Sequence, residues 1–228
     1  MCFKKNKIQI TNITNLLKDV LELYDTVDGR LICRGAPINL SSTYVKSISL
    51  NNPVFYREAY LAISKYKELL NDVTIRFEII QEKYKKYFHI DKRIKNINSI
   101  YSKLDRYNNE KKEKGEMQIN KCLNDLFGFR IILNCLSFNK LKKIVEDSIF
   151  PFKNTNRLKF IPSIKDGYRA YHVYIKNGNY LLQWELQFWL KRDSRKNLAS
   201  HHVHKQSYTV WEQNFKKGDL IEVIRDHE

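Results

Sequence analysis

Four polar side chains near the C-terminal third of the sequence have the types and spacing that could carry out chemistry. They are Tyr168, His172, Glu185 and Gln187. Between them lies Asn177-Gly178, the strongest short-range signal for a β-hairpin, because both residues tolerate the positive φ of a tight turn. We therefore expect antiparallel strands over residues 168–176 and 179–189, with all four polar side chains on one face.

A two-residue turn also predicts how the two strands pair. His172 would lie opposite Gln183, and Ala170 would lie opposite Glu185. A slip of one residue would mix the apolar and polar faces, so the pattern supports this pairing. An ordinary half-solvated hairpin shows the same alternation, so the hairpin alone leaves a structural role and a catalytic role equally open.

A second group of polar residues, upstream of the hairpin, is suited to holding a polyphosphate. Arg93 and Lys95 are two residues apart, so an extended segment points both side chains the same way. Asn98 is a good N-cap, which predicts a helix from Ser99 to about residue 113, with Lys103 on the face of Ser99. Free N–H groups at a helix start favour phosphate, although a capped surface helix with scattered lysines has the same pattern.

Asp125 precedes a predicted strand, and this position suits a metal ligand. We expect a short helix to end near Asp125 and a strand to begin at Gly128, which places the carboxylate in the turn between them. Gly128 permits the close approach of another backbone, and Arg130 leads into the sheet. A turn or capping role is the commoner use of Asp at such a place, so both interpretations stay open.

Several helices and strands must position these residues. Apolar residues at helical spacing predict a helix over residues 8–23, closed by Asp28-Gly29, and a long helix from about residue 53 to about residue 88. Periodicity further predicts a helix over residues 137–147, a strand over residues 156–161 and a helix after residue 196.

The charge balance is strongly positive. Lys and Arg number 41 against 25 Asp and Glu, which gives a formal net charge of +16. Such a field suits a polyanionic partner: nucleic acid, a nucleotide or an acidic protein. A genome rich in A and T would explain a high content of Lys, Asn and Ile, but it would not explain the shortage of acids.

The cysteines and histidines indicate a reduced protein without a zinc site. The four cysteines are Cys2, Cys33, Cys122 and Cys135. They form no C-x-x-C pair, so we expect them to be reduced and the protein to be cytoplasmic.

No apolar run is long enough to span a membrane, and the N-terminus lacks the apolar stretch of a signal peptide. Three close histidines have no cysteine or carboxylate at ligand spacing, which favours contact with nucleotide or nucleic acid over zinc. They are His201, His202 and His204.

Together and in this order, the motifs resemble the synthetase domain of RelA/SpoT-type (p)ppGpp synthetases. Residues 93–103 resemble the ATP-binding motif of that family, and residues 125–130 resemble its D-x-x-G-x-R motif, which carries the magnesium aspartate. Residues 166–172 resemble N-G-Y-x-S-x-H, whose Tyr stacks on the acceptor base. Residues 185–187 resemble E-x-Q, which contains the catalytic glutamate. The resemblance covers roughly residues 55–210.

The resemblance implies an α+β fold, a nucleotidyltransferase-like mixed β-sheet of about five strands flanked by helices. We expect residues 1–52 to form an N-terminal helical extension packed on the core. Residues 53–228 are expected to form one compact RelA/SpoT-like pyrophosphotransferase domain.

The resemblance also implies pyrophosphate transfer from ATP with Mg²⁺ as the cofactor, and it assigns roles to single residues. Catalysis and Mg²⁺ binding fall to Asp125 and Glu185, and Glu185 would take the proton of the attacking hydroxyl. ATP binding falls to Arg93, Lys95, Ser99, Lys103 and Arg130. Acceptor binding falls to Gly167, Tyr168, His172 and Gln187. Replacing either carboxylate by a neutral residue is expected to abolish activity and leave the fold.

Departures from the family motifs bear on the acceptor. Trp189 stands where the motif has Arg, Asp166 where it has Asn, and Ala170 where it has Ser. The loss of a cation at the acceptor site disfavours a free guanine nucleotide, and the charge of +16 favours tRNA. The chain thus resembles the toxic small alarmone synthetases of toxin–antitoxin pairs. Several of these transfer pyrophosphate to the 3′-hydroxyl of the CCA-end adenosine of tRNA, which blocks aminoacylation and translation.

A tRNA-modifying toxin implies further partners. Charge clustering predicts tRNA contacts at Lys4, Lys5, Lys191, Arg192, Arg195 and Lys196. A toxin also implies a neutralising antitoxin protein, and no membrane is expected. Two alternatives stay open: an alarmone synthetase that makes (p)ppGpp or (p)ppApp from ATP, and a basic module without activity that binds RNA or a protein.

Overall fold

A five-stranded mixed sheet with strand order β1-β2-β5-β4-β3 organises the chain. The computed structural model describes residues 2–33, 39–48, 66, 68, 71, 73–112, 114–179 and 182–200. The strands are β1 His89–Ile94, β2 Phe127–Leu133, β3 Leu158–Lys165, β4 Tyr168–Ile175 and β5 Trp184–Leu190. β2 and β5 run parallel, and every other neighbouring pair is antiparallel. The mixed α+β fold predicted from the sequence is confirmed.

Helices flank this sheet. They are α1 Cys2–Cys33, α2 Thr74–Tyr84, α3 Ile97–Asn109, the short α4 Ile119–Cys122 and α5 Phe138–Ile149. Three 3₁₀ turns lie at Val45–Ile48, Phe150–Thr155 and Lys191–Asp193, and residues 194–200 are helical. Ser137 caps α5, because its hydroxyl accepts the backbone N–H of Lys140 at 3.2 Å.

Two predicted helix boundaries are wrong. Asp28-Gly29 does not close the first helix, since α1 continues to Cys33. Tyr24 and Val27 lie on the buried face of α1, and this packing outweighs the cost of about 1 kcal/mol for a glycine inside a helix. Asn98 is not an N-cap either, because α3 already begins at Ile97 and ends at Asn109.

The predicted long helix is described only in its second half. Residues 53–65 lie outside the described residues, and so does the predicted domain boundary between residues 52 and 53, which stays a prediction. Within the described part, α2 ends at Tyr84, and residues 85–88 turn the chain into β1.

The apolar core lies between one face of the sheet and the helices α1, α2 and α5. Phe127 and Phe129 of β2 meet Trp184 of β5 with ring centroids 4.5 and 6.0 Å apart. Tyr24 of α1 packs edge-on against Trp184 at 5.1 Å, and Phe77 of α2 stacks on Phe129 at 4.8 Å. Burial of each large apolar side chain contributes roughly 1.5–3 kcal/mol, so this face holds the helices on the sheet.

The predicted register of the hairpin is wrong by four residues. His172 lies opposite Gln187, and Tyr174 lies opposite Glu185. β4 ends at Ile175 and β5 begins only at Trp184, because Leu182 is buried in the core and its carbonyl accepts the hydroxyls of Tyr24 and Tyr66, each at 3.3 Å. A shift of four preserves the alternation of faces, so the four polar side chains still share one face.

Two simpler expectations concern thiols and membranes. Cys122 is buried and Cys135 is half-buried, and both are free thiols. Burial raises the pKa of Cys122 to about 11, so this thiol stays protonated at neutral pH. Across the part of the chain that is described, each helix is too short or too polar to cross a membrane.

Candidate active site

The sheet face opposite the core helices carries the polar residues. Glu185, Gln187 and Trp189 of β5 alternate with apolar residues that point into the core. Gly128 of β2 lies beside Glu185, and Arg130 lies beside Gln187. The parallel pairing of β2 with β5 therefore brings two sequence motifs, 57 residues apart, onto one surface.

Gly128 lets these two strands meet where the carboxylate stands. A Cβ atom at this position would lie 2.5 Å from the backbone oxygen of Glu185, well inside van der Waals contact. The expectation that Gly128 permits a close backbone approach is confirmed. Any larger residue would push β2 away from the strand that carries Glu185.

Asp125 lies in the turn before β2, as predicted, and is held by two lysines. The amine of Lys95 donates to Oδ2 at 2.6 Å, and the amine of Lys103 donates to Oδ1 at 3.0 Å. Lys95 follows β1 directly, and its backbone N–H donates to the carbonyl of Leu126. Lys103 lies on α3 and also donates to Asn124 at 3.3 Å. Three elements thus converge on one carboxylate.

The electrostatics of this cluster keep Asp125 ionised. Burial alone would raise the pKa of the carboxyl, but the charges and hydrogen bonds of Lys103 and Lys95 outweigh burial and hold the pKa well below its usual range. Burial lowers the pKa of Lys95, whose side chain is only 4% exposed. Burial would also lower the pKa of Lys103, but the negative charge of Asp125 and the hydrogen bond to it outweigh burial. The pKa of Lys103 is therefore raised.

Glu185 is the end point of a buried network of hydrogen bonds. Oε1 accepts the hydroxyl of Tyr174 at 2.9 Å and lies 2.9 Å from Nδ1 of His172. Oε2 accepts the side-chain amide of Gln187 at 2.7 Å. Burial would raise the pKa of Glu185, but the hydrogen bond and charge of His172 outweigh burial and lower the pKa. The carboxylate is therefore ionised even though Glu185 is buried, with only 7% of the residue exposed.

The network extends from His172 to Trp189. Nε2 of His172 lies 2.9 Å from the hydroxyl of Tyr168, and that hydroxyl accepts the indole N–H of Trp189 at 3.2 Å. Through its two ring nitrogens, His172 therefore links Glu185 to the hydroxyl of Tyr168 and, beyond that hydroxyl, to the indole of Trp189. Burial raises the pKa of Tyr168, which keeps its hydroxyl protonated in this chain.

Trp189, noted in the sequence as a departure from the family motif, is completely buried and supports Arg130. The guanidinium carbon of Arg130 lies 3.9 Å from the centre of the indole ring, within the range of a cation–π contact. Burial and the nearby charge of Arg93 lower the pKa of Arg130. Nε of Arg130 has no hydrogen-bond partner among the described residues.

A cavity joins the two carboxylates and the arginines. It is lined by Arg93, Asp125, Gly128, Phe129, Arg130, Glu185 and Gln187. Oε1 of Gln187 is buried and lacks a partner within the described part of the chain, so two side chains that line the cavity, Gln187 and Arg130, each carry an unsatisfied polar atom. The cavity can thus receive a ligand with both hydrogen-bonding hydroxyl groups and anionic oxygens.

The two carboxylates fit a hard cation. Both are ionised, both line one cavity, and carboxylate oxygens are the protein ligands that Mg²⁺ prefers. Within the described ranges there is no group of three or more His, Cys, Asp or Glu side chains placed to hold a metal. A pair of carboxylates suits Mg²⁺ all the same, because this ion keeps several waters and takes substrate phosphates as ligands.

The other predicted site residues lie in several places. Ser99 is half-buried in the first turn of α3, and Gly167 lies at the tip of the turn between β3 and β4 with a φ of +81°. Lys4 and Lys5 belong to the first turn of α1. Four exposed cations follow β5 directly: Lys191, Arg192, Arg195 and Lys196. The three histidines His201, His202 and His204 lie outside the described residues.

Sequence reasoning missed two residues of this site. Tyr174 contacts Glu185, and its position two residues after His172 on the same strand face was a usable signal. Asn197 is fully buried, and its side chain accepts the backbone N–H of Arg169 at 2.9 Å and donates to the carbonyl of Arg169 at 3.0 Å. It anchors the segment after β5 next to Tyr168, and no sequence pattern predicted this.

A family model matches the part of the chain that carries the candidate site. Residues 92–210 match the family described as the region found in RelA/SpoT proteins, and the chain belongs to this family. A search of curated proteins found no match.

The solved structures that match this chain include three structures of two proteins from Bacillus subtilis. Small alarmone synthetase 2 is 20% identical, with a TM-score of 0.39, and the match covers 67% of this chain and 83% of that chain. Small alarmone synthetase 1 is 14% identical, with a TM-score of 0.36, and the match covers 71% and 98%. A structure of small alarmone synthetase 1 bound to AMPCPP is 13% identical, with a TM-score of 0.35 and the same coverage.

Proposed function

We propose that this chain is a toxin enzyme that transfers pyrophosphate from ATP to the 3′-hydroxyl of the CCA-end adenosine of tRNA. The observation that carries the proposal is the cavity in which Asp125 and Glu185 face the cations Arg93 and Arg130. Phosphoryl transfer needs positioning and neutralisation of charge more than covalent help, and this cavity supplies both. Membership of the RelA/SpoT family supports the same class of reaction.

In the proposed reaction, Glu185 is the general base, and Asp125 and Glu185 together would bind Mg²⁺. Glu185 accepts the proton of the acceptor hydroxyl, whose oxygen forms a bond to the β-phosphorus of ATP. The bond between that phosphorus and the bridging oxygen to the α-phosphorus breaks, and AMP leaves with the electron pair. Arg93 and Arg130 offset the charge that develops on the phosphate oxygens. Mg²⁺, when bound by Asp125 and Glu185, would supply further neutralisation of the phosphates.

Lys95, Lys103 and Ser99 hold the ATP side of the site. Both lysines lie within 3.0 Å of Asp125, so their charges stand where the triphosphate would approach that carboxylate. We assign the acceptor to Tyr168 and His172 of β4 and to Gly167 in the turn before it; Tyr168 is buried, with 9% of the residue exposed. Gln187 offers the free acceptor of its side chain to a ribose hydroxyl.

The tRNA acceptor is supported by charge. The formal net charge of +16 and the four exposed cations directly after β5 suit a phosphate backbone. Lys191 is six residues beyond Glu185 along the strand, a span of about 20 Å. A tRNA whose stem contacts these cations, together with Lys4 and Lys5, can extend its single-stranded 3′ end toward the cavity. A neutralising antitoxin protein and a cytoplasmic location belong to the same proposal.

A free nucleotide is the alternative acceptor, and the presence of Arg93 and Arg130 inside the cavity favours it. Arginine suits bidentate contact with phosphate, so a guanine or adenine nucleotide could bring its own phosphates to this pair. The enzyme would then be a small alarmone synthetase that makes (p)ppGpp or (p)ppApp.

A transfer assay with ATP labelled at the γ-phosphate tests the proposal. The labelled ATP is offered with bulk tRNA, with tRNA whose 3′ ribose has been oxidised, and with guanine or adenine nucleotides. We expect label on intact tRNA and none on oxidised tRNA. Label on a nucleotide alone would replace the tRNA proposal by the alternative. Glu185→Gln is the control, and transfer that persists in this variant would overturn the role of Glu185.

A further inference from the structure

Tyr174 lies on β4 directly opposite Glu185, on the same sheet face as His172. Its hydroxyl donates to Oε1 of Glu185 at 2.9 Å and lies 3.2 Å from Nδ1 of His172. The ring is half-buried and stands edge-on to the imidazole, with centroids 6.0 Å apart. Tyr174 is thus the cross-strand neighbour of the carboxylate and contacts its oxygen from the adjoining strand.

The donors around Glu185 can be counted against its acceptor capacity. An ionised carboxylate offers about four lone-pair positions, two on each oxygen. Tyr174 and His172 occupy both positions on Oε1, and Gln187 occupies one position on Oε2. One position remains, and it is on Oε2.

We propose, on the basis of the function proposed above, that Tyr174 is a positioning residue that fixes Glu185 so that Oε2 alone faces the acceptor hydroxyl. Without the tyrosine hydroxyl, one donor would remain on each oxygen, His172 on Oε1 and Gln187 on Oε2, and the carboxylate would be less tightly fixed about its last torsion, which is broad for Glu. A rotated carboxylate would present either oxygen, and the geometry of proton transfer would be lost. The hydroxyl of Tyr174 itself touches neither substrate.

The expected size of the effect follows from comparable roles. Residues that orient a ligand or base through one hydrogen bond change activity by roughly 10–100-fold when they are removed. The loss should fall on kcat, because Tyr174 is not among the residues that line the cavity. A merely structural role would instead lower stability or change both parameters together.

The test compares Tyr174→Phe with Tyr171→Phe. The control tyrosine lies on the same strand but on the core face, where its ring stacks between Phe138 and Phe160 at 4.2 and 5.3 Å. Both variants lose one hydroxyl and keep the ring. For transfer from ATP, we expect kcat of Tyr174→Phe to fall about 10–100-fold, with KM for both substrates within about 2-fold of wild type. Tyr171→Phe should retain wild-type kcat and KM.

Four outcomes would overturn the proposal. An unchanged kcat in Tyr174→Phe would do so, and so would a loss that appears in KM or equally in Tyr171→Phe. A crystal structure of Tyr174→Phe gives a readout that does not depend on activity, since a carboxylate of Glu185 oriented as in wild type would also exclude the positioning role. If wild type transfers label to no acceptor, the proposed function fails, and the two crystal structures still decide the role of Tyr174.

Discussion

Asp125 shows how strongly a single carboxylate depends on its neighbours. Its two oxygens are each held by one lysine, and the three charged groups are mostly buried. Taking charges out of water costs several kcal/mol per ion, and their mutual attraction repays this only while all partners are present. The same arrangement keeps the carboxylate ionised at the cavity that it lines together with Glu185.

At the scale of single residues, we predict that the Asp125→Asn variant loses stability as well as activity. The amide would leave Lys95, with a 4% exposed side chain, as a buried cation without its counter-charge. Loss of one member of a buried pair costs about 3 kcal/mol. Lys95→Met is the matched variant, because it removes the charge together with its need for a partner. It should lose activity and retain most of the stability in urea unfolding.

The difference in free energy of unfolding between wild type and Asp125→Asn should depend on pH, and this dependence gives a further check. The pKa of Asp125 is lower in the folded state than in the unfolded chain, so its contribution to stability is present above the unfolded value of about 4 and is lost as pH falls toward the folded value. The gap in free energy of unfolding between wild type and Asp125→Asn should therefore shrink below about pH 4. A gap that is constant with pH would show that the ion pair does not cause it.

At the scale of elements, the contact between β2 and β5 determines the distance between the two motifs. Gly128 allows β2 to pair closely with β5 at Glu185, and Asn197 fastens the segment after β5 to β4. The carboxylate network depends on both contacts, because Glu185 lies on β5 and His172 lies on β4.

We predict that Gly128→Ala weakens the protein and abolishes most of its activity. The added methyl group would lie 2.5 Å from the carbonyl oxygen of Glu185, so one strand must move, at a cost of about 1–3 kcal/mol. Gly178→Ala is the control. Gly178 has a φ of +66°, and no atom lies within 4 Å of the position of the new methyl group. The variant should therefore lose about 1 kcal/mol of stability and keep its activity. Thermal unfolding and the transfer assay measure both effects, and equal activity in the two variants would contradict the prediction.

At the scale of the whole molecule, the excess of positive charge distinguishes the two acceptors. A tRNA substrate makes many phosphate contacts, and each contact releases counterions on binding. A free nucleotide makes few such contacts and lies mostly inside the cavity.

We predict that the KM for tRNA rises steeply with monovalent salt. Replacing Lys191 and Lys196 by alanine should reduce the slope of log KM against log salt by about one unit for each lysine that contacts a phosphate. The exposed pair Lys111 and Lys112, in the turn after α3, provides the matched control and should leave the slope unchanged. A KM that is independent of salt, or equal slopes for both double variants, would remove the main support for a tRNA substrate.

The amino-acid sequence by itself determined which residues alternate along each strand, and this was sufficient to place Tyr168, His172, Glu185 and Gln187 on one face. It also determined the turn position of Asp125 and the need for a small residue at position 128. These features are local, because they depend on strand periodicity and on the conformations open to each residue.

Only the tertiary structure decided how these local features meet. The hairpin register differs by four residues because Leu182 is held in the core by hydroxyls from Tyr24 and Tyr66, far away in the chain. The continuation of α1 through Asp28-Gly29, the pairing of Lys95 and Lys103 with Asp125, and the contact of Tyr174 with Glu185 likewise depend on packing between distant segments. Such contacts are long-range in sequence, and local propensity carries no information about them.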